Sequence, residues 1–128
     1  MTTAHFILYV QDQDRSTTFY TAVLNQAPRL YVPGMTEYQL NTGCVLGLMP
    51  ETGITRLLGH ALPDPRHGRG IPRAELYLLV DNADAYHQRA LAMGAQALSG
   101  LEVRAWGDRV AYSLDPDGHV LAFAEPGS

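Results

Sequence analysis

The chain has 128 residues, 46% hydrophobic and 17% charged, which is the composition of a globular protein and excludes a disordered tail or a charge-dense coiled coil. Nine Lys and Arg stand against thirteen Asp and Glu, for a formal net charge of -4. No long-range attraction therefore draws the chain to a phosphate backbone or an anionic surface, and neither nucleic acid nor a membrane is an expected partner. Cys44 is the sole cysteine, so no intrachain disulfide can form and a cytoplasmic location is expected. The first residues carry no basic stretch ahead of an apolar run. The longest apolar runs, about five or six residues, fall far short of the ~20 that a membrane helix needs.

Taken in chain order, residues 6–10 are β-prone and lead into Asp12 and Asp14, acidic side chains able to cap a helix. The spacing of Phe19, Ala22 and Val23, extended by Tyr20 and Leu24, predicts a helix over residues 15–24. Asn25, which tolerates the left-handed conformation, is placed to end it. Strands are expected over 29–32, 35–40 and 44–49, separated by turns at Pro33-Gly34 and Asn41-Thr42-Gly43. Residues 50–72 are rich in Gly and Pro and read as a connector holding one helical turn near 55–60. A strand over 75–80, a cap at Asp81-Asn82 and a helix over 83–93 stopped by Gly94 follow. Three more strands, over 96–104, 109–114 and 119–125, complete the chain. Asp115-Pro116-Asp117-Gly118 reads as a tight turn rather than a catalytic group, with Gly118 taking positive φ.

The second half repeats the order of the first. Val10 matches Val80, Asp14 matches Asp84 and Leu24 matches Gly94 at an offset of about 70, and Gly43-Cys44-Val45-Leu46 matches Gly118-His119-Val120-Leu121 at about 75. A βαβββ unit of this size cannot cover both faces of its sheet, so two units are expected to share a core, within one chain or across a dimer. The chain is thus read as one domain over residues 1–128, with a first module at 1–50, a connector at 51–73 and a second module at 74–128.

Three stretches carry a family likeness: residues 10–25 with Asp12, Arg15-Ser16, Phe19-Tyr20 and Val23-Leu24; Val80-Asp81-Asn82-Ala83; and Trp106-Gly107-Asp108-Arg109 through Tyr112 to Asp115-Pro116-Asp117-Gly118. In order and spacing they resemble the vicinal oxygen chelate superfamily, which includes glyoxalase I, extradiol dioxygenases, fosfomycin-resistance enzymes and bleomycin-resistance binding proteins. The resemblance implies an α+β fold in which two βαβββ modules form a cup-shaped curved sheet, paired in a homodimer, with binding or chemistry inside the cup.

Strand alternation then sorts the side chains. Phe6, Leu8 and Val10 are expected against the helix, which leaves His5, Ile7 and Tyr9 for the cup. Leu76, Leu78 and Val80 oppose Glu75, Tyr77 and Leu79 in the same way, while Val45, Gly47 and Met49, and Val120, Ala122 and Ala124, face the cup from the fourth and eighth strands. His5, Gly47, Glu75 and Ala122 match the metal-ligand places that the resemblance implies, where metal-dependent relatives carry His, Glu or Gln. Gly47 and Ala122 supply no donor, and the two that remain fall below the three protein ligands a catalytic zinc normally keeps. No metal and no other cofactor is therefore expected, no catalytic residue is assigned, and His5 and Glu75 are the ligands should a divalent ion bind. Otherwise the two read as a hydrogen-bonded imidazole and carboxylate, or as side chains near solvent at strand ends.

The remaining polar groups say less. His60, His67, His87 and His119 lack the i, i+4 partner of a helical metal site, Arg66, His67, Arg69 and Arg73 read as a solvated cluster, and Cys44 reads as a small core residue. Aromatic and thioether side chains supply the ligand-binding candidates: Tyr9, Met49 and Tyr77 by alternation, and Tyr31, Met35, Tyr38 and Trp106 on strands and loops able to rim the opening. Trp106, ahead of Gly107 in a loop, is suited to stack on a flat ring. The expected function is a metal-independent binding protein of the bleomycin-resistance type that sequesters an aromatic or peptide-like small molecule, a natural-product antibiotic. The alternative is a glyoxalase-like metal-dependent lyase, isomerase or ring-cleaving dioxygenase using His5 and Glu75.

Overall fold

A computed structural model describes residues 2–127. Its elements run β1 (Ala4–Val10), α1 (Gln13–Leu24), β2 (Leu30–Val32), β3 (Met35–Asn41), β4 (Cys44–Pro50), α2 (Glu51–Leu58), β5 (Glu75–Leu79), α3 (Ala83–Ala92), β6 (Gln96–Val103), β7 (Arg109–Leu114) and β8 (Val120–Glu125). The chain divides into two compact units, the first built on residues up to 69 apart from 22–24, the second on 22–24 and residues from 70 onward.

In the first unit β1 pairs in parallel with β4, and β3 pairs antiparallel with both β4 and β2. The Asp12 carboxylate accepts the Arg15 amide at 3.1 Å and so satisfies one of the free donors at the start of α1. Asn25, at φ 53°, takes the left-handed conformation expected of it and ends the helix. Phe19 and Tyr20 from α1 are buried, as are Val10, Thr36, Tyr38, Leu46 and Leu48 from the sheet. Polar groups in this core are matched: the Tyr38 hydroxyl donates to the Thr17 carbonyl at 3.0 Å, and the Thr17 and Thr36 hydroxyls bond at 2.8 Å. Phe6, expected against the helix, is 60% exposed. β1 is an edge strand with a neighbour on one flank only, which leaves the Phe6 ring uncovered on the other.

The second unit repeats this topology: β5 pairs in parallel with β8, then β7 and β6 follow antiparallel. Asn82 caps α3 by accepting the Ala85 amide at 3.1 Å. Ala83, His87 and Ala90 of α3 are buried. The turn before β8 is structural: Asp115 Oδ1 accepts the amides of Asp117 at 2.9 Å and His119 at 2.8 Å, and Gly118 sits at φ 86°.

Two expectations need correction. The βαβββ-like modules are present, but the cup-shaped curved sheet is not: the strands form two open four-stranded mixed sheets, ordered β1-β4-β3-β2 and β5-β8-β7-β6, and neither is strongly curled or closed. Four strands are too few to wrap around an interior. The bulges that would bend a sheet are confined here to β3 near Gln39 and to β6 between Ala97 and Glu102, so the paired centres β1/β4 and β5/β8 run in regular register. The connector is also more helical than one turn. α2 begins at Glu51, and 3₁₀ turns follow at Gly59–Ala61 and Pro65–Gly68. Burial of Ile54 and the ion pair between buried Glu51 and Arg69 stabilise a helix that Gly53 would not favour. Among the described residues no helix is long and apolar enough to cross a membrane.

Candidate functional site

The register of the first sheet decides which side chains share the face turned away from α1. Ile7 is directly opposite Gly47, Tyr9 opposite Met49, and Glu37 opposite Gly47 from the other side. Tyr9, Met35 and Met49 therefore lie on this face with His5, Glu37 and Gln39. Tyr31 and Tyr38 do not. Tyr31 pairs with Thr36 on the helix side, where its hydroxyl donates to Asp14 and is held above the usual tyrosine range chiefly by that bond. It lines a recess of about 400 Å³ with Asp12, Gln13 and Pro33. Tyr38 is fully buried, and desolvation pushes its hydroxyl up as well.

Glu37, which sequence reasoning missed, organises the polar part of the face. His5 Nδ1 lies 3.5 Å from Glu37 Oε2, and Arg29 donates through Nε to Glu37 Oε1 at 2.9 Å. The Glu37 carboxylate is only 15% exposed and pairs with Arg29 at 2.8 Å, just ahead of β2. The carboxylate beside His5 is thus Glu37. Alternation along β3 puts Glu37 on the face of Met35, but only the β1/β4/β3 register brings it to His5.

In the second unit Tyr77 sits opposite Ala122, and Ala122 opposite Tyr112. Both tyrosines pack on the buried patch of Val110, Ala122 and Ala124. The Trp106 indole N–H donates to the Tyr77 hydroxyl at 3.0 Å, and that hydroxyl donates to Asp108. Burial, followed by the bond to Asp108, raises the Tyr77 phenol above its ordinary value. The Arg104 guanidinium lies 5.1 Å from the Tyr112 ring centroid and is held by Ser99 Oγ at 2.8 Å and the Val110 carbonyl at 2.8 Å. Tyr77 and Trp106 are therefore joined as expected candidates, while Arg104, Asp108 and Tyr112 are additions. Alternation along β7, which puts Val110, Tyr112 and Leu114 on one face, was the available signal for Tyr112.

Two of the four expected ligand places, Gly47 and Ala122, offer no donor. A Cβ at Gly47 would lie 3.0 Å from Ile7 Cγ1 and 3.3 Å from Met35 Sδ, so the space a ligand side chain needs is filled. Ala122 is fully buried among apolar neighbours. His5 is drawn toward Glu37, and among the described residues no three His, Cys, Asp or Glu side chains converge.

With this geometry, residues 2–123 match the model of the Glyoxalase/Bleomycin resistance protein/Dioxygenase superfamily. The chain belongs to that superfamily. Among glyoxalase/bleomycin-resistance/dioxygenase relatives of known structure, a glyoxalase-related enzyme from Fulvimarina pelagi superposes with a TM-score of 0.81 at 26% identity, covering 98% of this chain and 88% of that chain. A protein from Agrobacterium tumefaciens superposes at 0.78 with 26% identity, covering 98% of this chain and 94% of that one. An uncharacterised protein of Mycobacterium bovis is 28% identical over 122 residues, which is 93% of this chain and 80% of its own length. Each unit carries one βαβββ-like module, and Gly47 and Ala122, two of the four ligand places that the resemblance implies, carry no donor.

Proposed function

We propose that the protein is a metal-independent binding protein of the bleomycin-resistance type, which sequesters an aromatic or peptide-like small molecule, a natural-product antibiotic. The observation that carries this reading is the donor set. At two of the ligand places that the resemblance implies, the chain offers a glycine hemmed in by Ile7 and Met35 and an alanine inside an apolar patch, and these supply neither a metal ligand nor a carboxylate base. What the sheet faces and the β6–β7 loop do offer is aromatic and thioether surface, Tyr9, Met35 and Met49 in one unit and Tyr77, Tyr112 and the loop residue Trp106 in the other. Sequestration needs such surface and a few polar contacts, and no reacting group. On this reading the protein acts as a cytoplasmic homodimer.

Trp106 is the only tryptophan, which makes the test direct. Titration of the EDTA-treated protein with bleomycin and with other planar antibiotics is expected to change Trp106 emission saturably, with the same affinity after addition of zinc, nickel or manganese. No response to any of them, together with metal-dependent turnover of a glutathione hemithioacetal or a catechol, overturns the reading in favour of the lyase or dioxygenase alternative through His5 and Glu75.

A further inference from the structure

The exposed indole is held from behind. Trp106 is 59% exposed in the loop between β6 and β7, yet its N–H is engaged by the Tyr77 hydroxyl at 3.0 Å. That hydroxyl is used in both directions, accepting from the indole and donating to Asp108 Oδ2. Asp108 also closes the loop: its carbonyl accepts the Arg104 amide at 2.8 Å, and the Gly107 amide donates to the Arg104 carbonyl at 3.0 Å. We propose that Asp108, acting through Tyr77, is a positioning residue that fixes the Trp106 indole in the unliganded protein as a preformed stacking surface for a planar ring.

A side chain as exposed as this one ordinarily exchanges rotamers on the picosecond to nanosecond scale. Ordering it only on binding would cost affinity, which a ring held beforehand avoids. The carboxylate makes the restraint stronger than a lone phenol would, because a charged acceptor shortens the hydrogen bond from the phenol, polarises its O–H group and makes the phenol oxygen a better acceptor for the indole. With its N–H engaged, the indole meets a ligand through its face, and a planar π-surface is what this position selects. The identity of the ligand rests on the sequestration reading above, whereas the restraint itself is a property of the free protein.

The two are separated by measuring time-resolved fluorescence anisotropy of Trp106 without ligand and then bleomycin binding, in wild type, Tyr77→Phe, Asp108→Ala and Asp108→Asn. Tyr77→Phe keeps the ring and removes both links, Asp108→Ala removes one, and Asp108→Asn keeps an acceptor oxygen. In Tyr77→Phe the ratio of fixed to mobile indole is expected to fall about two- to tenfold, the equilibrium worth of one hydrogen bond. Asp108→Ala is expected to show part of that loss and Asp108→Asn to restore most of it, with bleomycin affinity falling in the same order. Identical anisotropy decays in all four proteins, each shown folded by circular dichroism, overturn the proposal. Bleomycin failing to bind wild type counts instead against the sequestration reading, and the ligand-free decays still decide whether Asp108 positions the indole.

Discussion

Replacing Gly47 by histidine asks whether the lost ligand place can be rebuilt. The first atom of the new side chain already lies 3.0 Å from Ile7 Cγ1 and 3.3 Å from Met35 Sδ, inside the ~3.5–4.0 Å of an ordinary carbon contact. Alanine stops there. Ile7 is 42% exposed and Met35 is flexible, so both can give by a few tenths of an ångström. Gly47→Ala is accordingly expected to lie within about 1 kcal/mol of wild type, helped by the smaller entropy lost in a strand. The imidazole has no such escape, because it must displace both neighbours from a buried strand centre. Overpacking of this kind costs about 1–3 kcal/mol, or on the order of 5–10 °C in Tm for a chain of this length. Thermal melts followed by circular dichroism, with and without zinc or nickel, check this. An ion at ~100 times its Kd would return about 2.7 kcal/mol, so the reasoning is refuted if Gly47→His melts with wild type or if added metal recovers its loss.

Two further outcomes follow from buried polar groups. His87 is 3% exposed, its Nδ1 has no hydrogen-bond partner among the described residues, and desolvation lowers its pKa below the usual histidine value. The unfolded chain therefore takes up a proton that the folded chain resists, and stability is held above about pH 6.5 and lost as the pH falls below it. Tm measured from pH 7.5 to 5 is expected to fall, and His87→Leu is expected to flatten that slope; parallel slopes would contradict the assignment. Tyr38→Phe removes the hydroxyl that bonds the Thr17 carbonyl and Thr21 Oγ1 inside the core, and is expected to cost about 1–3 kcal/mol in urea unfolding at unchanged m. A loss under ~0.5 kcal/mol would mean that these bonds are replaced without penalty.

Much of the fold is legible along the chain because it is local. Asp12, Asn25 and Asn82 mark helix ends through bonds to amides within three residues or through one permissive dihedral, and those are properties of the residue itself. The turn at residues 115–118 is legible for the same reason. α2 was underread because its stability comes from Glu51 meeting Arg69, a contact across eighteen positions that no local pattern records. The openness of the sheets is not legible along the chain, because curvature depends on where bulges fall and on how many strands pair, and neither is a property of one strand's sequence.

The candidate site divides along the same line. The sequence by itself determined that aromatic side chains are set among the strands and that the chain is built of two similar modules, and, at the ligand places that the family resemblance implies, that Gly47 and Ala122 carry no donor. Only the register decided which of those aromatics lie together: it buries Tyr38, turns Tyr31 toward α1, and brings Glu37 to His5. Only the loop geometry tied Trp106 to Tyr77 across 29 positions and Tyr77 to Asp108 across 31. Alternation assigns a side chain to a face. Its partner on that face is set by how neighbouring strands slide past one another, which is an energy of the assembled sheet and of no single segment.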